Sequence, residues 1–367
     1  MAMVVAALIA LAVGVTSVRA EQTGRPRETP QECAKTRMSQ WEKARPCVLD
    51  WFRRNWYGYA PLGRPEDEVL GEDSISCAGG RIRIRLEVVV PEGASREAPV
   101  PVFVLGDHNR PPKSAKAPVE EIVRRGYAFV RYNFNDVAPD RYMNDANRIA
   151  GVFAVYGGWD RSDGAGWGKV AAWAWGFSRV MDWIESRPEL DARRVAVVGH
   201  SRGGKTALWA AAQDQRIAMA VSNNSGTGGA HLNEMVTPGS EQVRAFLECR
   251  SWNFFCPNFL KFDGAETTMR HDADDLLRLI APRLVYVASG SEDAGAGPEG
   301  EVEATRRASE LWTAYGRKGL SLTGYPAPGT TDNEGFLAYH LRPGGHALDP
   351  YDWARYLDFA DRHLKRK

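Results

Sequence analysis

The sequence predicts an α/β fold in which a mainly parallel sheet is covered by helices on both faces. Three observations carry that expectation. From about residue 98 onward, short apolar runs alternate with amphipathic segments. One β-branched run, Val195-Ala196-Val197-Val198, leads straight into Gly199-His200-Ser201-Arg202-Gly203, and a helix-forming stretch follows. The 367 residues, 44% hydrophobic and 25% charged, suit a globular chain with a substantial core and exclude a disordered, collagen-like or coiled-coil one.

Met1 to Val15 carries no polar side chain and runs into the small-residue end Thr16-Ser17-Val18-Arg19-Ala20. A signal peptide over 1–20, cut after Ala20, is expected, since the stretch falls short of the ~20 residues that span a bilayer. Residues 21–44 read as an N-terminal lead-in and 45–367 as one domain. Within it, Val100 to Leu105 reads as a buried strand, Val119 to Arg125 as a helix and Tyr127 to Tyr132 as the next strand. Val170, Trp173, Phe177, Val180, Met181 and Ile184 recur at helical spacing between Lys169 and Glu185. Trp173 and Trp175 could serve as a sugar-stacking platform, but at this periodicity they read first as core. Strands are expected at Val195 to Val198, Ile217 to Val221 and Leu284 to Ala288. Helices are expected at Thr206 to Ala212, Glu303 to Tyr315 and Trp353 to Leu364. Residues 226–275 interrupt the alternation and read as an insertion over the sheet's carboxyl edge, where ligands bind in such folds.

Cleavage after Ala20 removes Arg19 alone among the charged residues, leaving 46 Lys and Arg against 46 Asp and Glu. A nucleic-acid binder would show a basic excess, so none is expected. Cys33, Cys47, Cys77, Cys249 and Cys256 are odd in number, which leaves at least one thiol free. Cys33 with Cys47 and Cys249 with Cys256 are the local pairs to test. No Cys-x-x-Cys or His-Glu-x-x-His spacing occurs, so neither a metal nor a cofactor is expected. His271-Asp272-Ala273-Asp274-Asp275 could hold a cation, yet it reads more simply as a helix start, because acidic side chains suit the positive end of the helix dipole.

Strand, tight turn and helix around Gly-x-Ser-x-Gly is the context of a nucleophile elbow, which makes Ser201 the candidate nucleophile. A serine hydroxyl needs a base to take its proton and a third group to orient the base, in the chain order Ser, acid, His. After the strand ending at Ala288 comes Ser289-Gly290-Ser291-Glu292-Asp293, with Asp293 the candidate acid and Glu292 its rival. His340 lies in a strand-like run and His363 late in a helical one. His346 follows Gly344-Gly345 in a loop and is the candidate base.

These segments make the chain recognisable. Gly199-His200-Ser201-Arg202-Gly203-Gly204-Lys205 resembles the signature of the glucuronoyl esterases, carbohydrate esterase family fifteen, in the form with His before Ser. The likeness continues through Ala171-Ala172-Trp173-Ala174-Trp175-Gly176, Ser225-Gly226-Thr227-Gly228-Gly229-Ala230 and Leu279-Ile280-Ala281-Pro282-Arg283. It extends to Tyr339-His340-Leu341-Arg342-Pro343-Gly344-Gly345-His346 and spans about Arg45 to Leu364. The resemblance implies an α/β-hydrolase fold of the bacterial type. It also implies a secreted or periplasmic, monomeric serine esterase that cleaves the ester between 4-O-methyl-glucuronic acid of glucuronoxylan and a lignin alcohol. By the same resemblance Arg202 helps form the oxyanion hole, and Lys205 and Glu241 hold sugar hydroxyls. A preorganised donor at a developing anion contributes about 3 kcal/mol.

Four departures bear on this. Asn224 stands where fungal members carry their catalytic Glu, which moves the acid to Asp293. Ala294 and Gly295 stand where many relatives carry a stacking tryptophan. Asn253-Phe254-Phe255-Cys256 and Leu105-Gly106-Asp107-His108-Asn109 also differ from the usual loops. An acetyl-xylan or general carbohydrate esterase with the same triad is therefore the alternative enzyme, and an inactive carbohydrate-binding homologue the alternative of another class.

Overall fold

The computed structural model describes residues 38–108, 117–140, 150–160, 162–248 and 252–365. The expected signal peptide, Cys33 and Cys249 lie outside the described residues. Helix α1 (Met38–Phe52) opens the described chain. Strands β1 (Val69–Leu70), β2 (Ser74–Cys77), β3 (Ile82–Val89) and β4 (Val100–Asp107) follow, then α2 (Val119–Arg124) and β5 (Ala128–Asn133). The central run is α3 (Lys169–Glu185), β6 (Leu190–His200), α4 (Arg202–Gln213) and β7 (Met219–Asn223). After α5 (Val243–Glu248) and α6 (Ala273–Arg278) come β8 (Leu284–Gly290), α7 (Pro298–Ala314), β9 (Thr331–Asp332), β10 (Leu337–Arg342) and α8 (Pro350–His363).

The strands form one sheet in the order β1-β2-β3-β5-β4-β6-β7-β8-β10-β9. Pairing is parallel from β5 across to β10, while β1, β2, β3 and β9 pair antiparallel at the two edges. Period-two alternation makes the central strands two-faced. Val102 and Val104 of β4 and Val195 and Val197 of β6 face one apolar cluster with α3 and α4. Phe103, Leu105, Ala196 and Val198 face the other, with Trp353, Tyr356 and Leu357 of α8. This is the α/β-hydrolase arrangement, a mostly parallel sheet between two helical layers.

Several expected boundaries shift. The lead-in expected over 21–44 gives way at Met38 to α1, whose Trp41, Val48, Leu49 and Phe52 pack into the core. Strand β6 begins at Leu190, because Val100 already pairs with it there. Helix α7 begins at Pro298, which occupies the first helical position after a left-handed Gly297; a proline there loses no helical hydrogen bond. Trp173 and Trp175 are buried, as their spacing requires. His271-Asp272 does start a helix: Asp272 caps α6 by accepting from Ala273 N (2.7 Å).

The expected pairs Cys33 with Cys47 and Cys249 with Cys256 each include a cysteine outside the described residues. Cys47, Cys77 and Cys256 are free thiols. Cys256 Sγ instead donates to Arg54 O at 3.6 Å, and burial pushes its thiol up to about 12, which makes it unreactive.

Candidate active site

Ser201 stands between β6 and α4 with φ 57° and ψ −126°, a backbone region that non-glycine residues seldom occupy. The turn is held from the neighbouring strand, since Ser201 N donates to Asn223 O at 2.8 Å. The chain doubles back so tightly that a Cβ on Gly199 would lie 1.9 Å from Gly203 O. Only glycine fits at that crossing. The reversal leaves the serine at the carboxyl end of β6 and at the amino end of α4, where helix N–H groups lack intrahelical partners and favour negative charge.

Asp293 and His346 meet across two loops that leave adjacent strands. His346 Nδ1 lies 2.6 Å from Asp293 Oδ2. A carboxylate only accepts, so the imidazole carries its proton on Nδ1 and leaves Nε2 as a base. Asn224 Nδ2 donates to the same carboxylate oxygen at 2.5 Å, and Ala296 N donates to Oδ1 at 3.3 Å. Burial pushes the Asp293 carboxyl up, but the hydrogen bonds from His346 and Asn224 outweigh it and hold it below the usual carboxylate range. Glu292 is exposed, its N–H tied to Gly344 O. His340 is fully buried between Asp352 (2.8 Å) and the Tyr286 hydroxyl (3.1 Å), a structural position. His363 lies in the last turn of α8 beside Phe336 and Phe359.

The three residues expected to meet substrate lie on the same side as Ser201. Arg202 Nη1 donates to Asp140 Oδ2 at 2.8 Å, and the guanidinium lies 5.2 Å from the Phe254 ring centroid. Lys205, almost fully buried on α4, donates to Ser225 O and to Glu241 Oε2, the latter at 3.2 Å. Glu241 lies in the segment between β7 and α5, and its backbone N–H donates to Gly295 O at 2.9 Å. That segment and the Asp293 loop are thus tied to each other. Ala294 and Gly295 are exposed.

Three partners were not legible in the sequence. His200 packs against His346 with ring centroids 4.5 Å apart and the ring planes tilted by 46°, and its Nδ1 bonds Asn223 Oδ1 at 2.6 Å. Asp140 carries no motif that marks it as the anion for Arg202. Glu301 lies ahead of the helix expected from Glu303 and carries no motif, yet it is fully buried behind the Ser225 turn. A separate hollow of about 560 Å³, lined by Arg193, Arg194, Arg216 and Arg283, opens at the amino ends of β6 to β8. That is the opposite end of the sheet from Ser201. Among the described residues no group of three or more His, Cys, Asp or Glu is placed to hold a metal.

Comparisons with known proteins assign the chain to a family. The profile of the family described as "Glucuronyl esterase, fungi" matches residues 74–316. Carbohydrate esterase MZ0003, from an unknown prokaryotic organism, is 36% identical over 248 residues, covering 67% of this chain and 56% of the relative. The 4-O-methyl-glucuronoyl methylesterase 1 of Phanerochaete chrysosporium is 30% identical over 229 residues, 60% of this chain and 43% of the relative. The chain therefore spans about half the length of the curated relatives it matches. The solved glucuronoyl esterase of Solibacter usitatus superposes with a TM-score of 0.78 at 29% identity, covering 89% of this chain and 93% of that one. With about two thirds of its length inside one family profile, a span that includes Ser201 and Asp293 and ends before His346, the chain belongs to the glucuronyl esterase family.

Proposed function

We propose that the chain is a serine carboxylesterase that hydrolyses the ester between 4-O-methyl-glucuronic acid of glucuronoxylan and a lignin alcohol, through an acyl-enzyme on Ser201. The observation that carries this reading is the Asp293 carboxylate on His346 Nδ1 at 2.6 Å, in loops beside a serine held at φ 57°. His346 Nε2 takes the proton of Ser201 Oγ as the oxygen attacks the uronic carbonyl. Asp293 stabilises the imidazolium that forms. The developing oxyanion is met by the Arg202 cation and the amino end of α4. The alcohol then leaves with the proton held by His346, and water, activated by the same histidine, attacks the acyl carbonyl and frees Ser201.

Substrate choice rests on the Lys205–Glu241 pair. A buried ammonium and a half-exposed carboxylate, 3.2 Å apart, suit the donors and acceptors of a sugar diol. A site built to hydrogen-bond such groups rejects esters that lack them, because its polar atoms are then left unpaired. The exposed Ala294 and Gly295 favour a second reading, an esterase of broader acyl range such as an acetyl-xylan esterase. The two differ in outcome. Under the first, kcat/KM on benzyl glucuronate exceeds that on an acetylated xylan or aryl acetate, and Lys205→Ala and Glu241→Ala lose more on the glucuronate ester. Equal losses, or a wild-type preference for acetyl groups, reject the glucuronoyl reading and leave the serine mechanism standing.

For that mechanism, Ser201→Ala or His346→Ala lowers kcat by several powers of ten with the fold intact, since the proton-transfer pair acts as a unit. Labelling by a fluorophosphonate is lost in Ser201→Ala. Near wild-type turnover in either variant ends the triad proposal. The chain is further proposed to act outside the cytoplasm as a monomer that does not engage nucleic acid. Among the described residues no helix is long and apolar enough to cross a membrane.

A further inference from the structure

The mechanism above leaves one buried acid unused. Glu301, in the first turn of α7, has no exposed surface. Its Oε1 accepts from Ser225 N (2.7 Å), Ser225 Oγ (3.1 Å) and Gly226 N (2.9 Å), and its Oε2 accepts from Ser289 Oγ (2.6 Å). Burying a carboxyl group is costly unless every lone pair is used. Here four donors from two loops converge on it. Three donors on one oxygen call for an oxygen that only accepts, which the Oε1 of a carboxyl group supplies whether or not Oε2 carries a proton.

The turn that Glu301 grips is the one that holds Lys205. The Ser225 carbonyl accepts from the Lys205 ammonium, while the Ser225 N–H and hydroxyl, and the next N–H, point to Glu301. The peptide is thus clamped from behind by the acid and presents its carbonyl to the lysine in front. Ser225 Oγ also accepts from Ala230 N at 2.8 Å, which carries the clamp into the glycine-rich start of the insertion. The acid loop depends on Glu301 less. Beyond the single Ser289 contact, it is pinned by Ser291 N to Arg342 O (2.8 Å) and Glu292 N to Gly344 O (3.0 Å). Removing Glu301 therefore frees the Lys205 side of the site first.

We propose that Glu301 is a positioning residue for substrate selection: by fixing the Ser225–Gly226 peptide it sets where the Lys205 ammonium stands, and so governs affinity for the glucuronoyl group rather than the acyl-transfer step. This inference rests on the reading of Lys205 and Glu241 as ligands of sugar hydroxyls. A ligand needed equally in ground and transition states contributes uniform binding, which moves KM and leaves kcat.

The test compares Glu301→Ala, Glu301→Asp and Glu301→Gln in the full chain, each assayed on benzyl glucuronate and on 4-nitrophenyl acetate. The acetate is too short to reach Lys205. Glu301→Ala raises KM for the glucuronate about tenfold and leaves kcat/KM for the acetate within about twofold. Glu301→Asp keeps the carboxyl group but draws it back by one methylene, so it shows the same split and serves if the alanine variant does not fold. Glu301→Gln stays within about threefold of wild type on both esters, because its amide oxygen keeps the three donors and the Ser289 hydroxyl can turn to accept from the amide. Equal losses on both esters, or an unchanged KM for the glucuronate in both Ala and Asp variants, overturn the inference. A wild-type chain that does not cleave benzyl glucuronate overturns it together with the reading it rests on.

Discussion

At the scale of single residues, the site turns on which carboxylate touches His346. Asp293 and Glu292 are neighbours in sequence, and the sequence leaves both open as the acid. The structure separates them physically: Asp293 is buried against the imidazole, whereas Glu292 faces solvent. Asp293→Asn is expected to lower kcat by about three to four powers of ten, because an amide cannot stabilise the imidazolium and favours the wrong tautomer. Glu292→Gln is expected to leave kcat near wild type. Asn224 supplies a finer gradation. It donates its amide to Asp293 Oδ2, while its own buried Oδ1 has no hydrogen-bond partner among the described residues. Asn224→Ala removes one of the bonds that hold the Asp293 carboxyl low, so kcat should fall about tenfold, between the other two variants. Steady-state kinetics on one ester checks the order. A larger loss in Glu292→Gln than in Asp293→Asn would move the acid to Glu292.

At the scale of elements, the strand–turn–helix unit was legible because its requirements are local. The β-branched run, the glycine at the crossing and the alanine-rich helix each follow from short-range sterics. The two flanking glycines, alike in the motif, differ in what they meet. A Cβ on Gly199 falls 1.9 Å from a backbone carbonyl oxygen, while one on Gly203 meets nothing closer than 3.4 Å. Gly199→Ala should therefore cost roughly 3 kcal/mol or more, or abolish folding, and Gly203→Ala should stay within about 1 kcal/mol. Urea unfolding of the two variants reads this directly, and comparable destabilisation would show that the turn relaxes. The antiparallel edge was harder to read. Ile82-Arg83-Ile84-Arg85-Leu86-Glu87 alternates buried and exposed side chains along β3, a period-two signal, yet no helix follows it to complete the βα rhythm. Glu301 was hidden for the opposite reason. Its role comes from donors 75, 76 and 12 residues away in sequence, and no local pattern encodes contacts that only the closed sheet creates.

At the scale of the whole molecule, buried carboxyl groups shifted in opposite directions give stability a definite pH profile. Burial pushes Glu301 up to about 7, and burial together with neighbouring Asp182 raises Glu68 to about 7. Asp293 and Asp214 go the other way: burial raises each, but hydrogen bonds from His346 and from Arg216 prevail and hold them low. A carboxyl raised in the folded state keeps its proton between about pH 4.5 and 7 while the unfolded chain has lost it. Stability therefore falls as pH rises through that window and levels off above it. The lowered aspartates stabilise the fold above their unfolded pKa, near 4, and that share is lost as pH drops further. Maximum stability is accordingly expected near pH 4.5 to 5, on the acid side of neutrality. At ~1.4 kcal/mol per pKa unit, the rise at Glu301 limits its own share to roughly 3 kcal/mol. Thermal unfolding should show Tm falling by several degrees between about pH 5 and 7.5. Glu301→Gln, which cannot titrate, should flatten that slope without altering the fall below pH 4, which belongs to the aspartates. A wild-type Tm that is level from pH 5 to 7.5, or an unchanged slope in Glu301→Gln, would show that Glu301 is ionised throughout and that its four donors fully offset its burial.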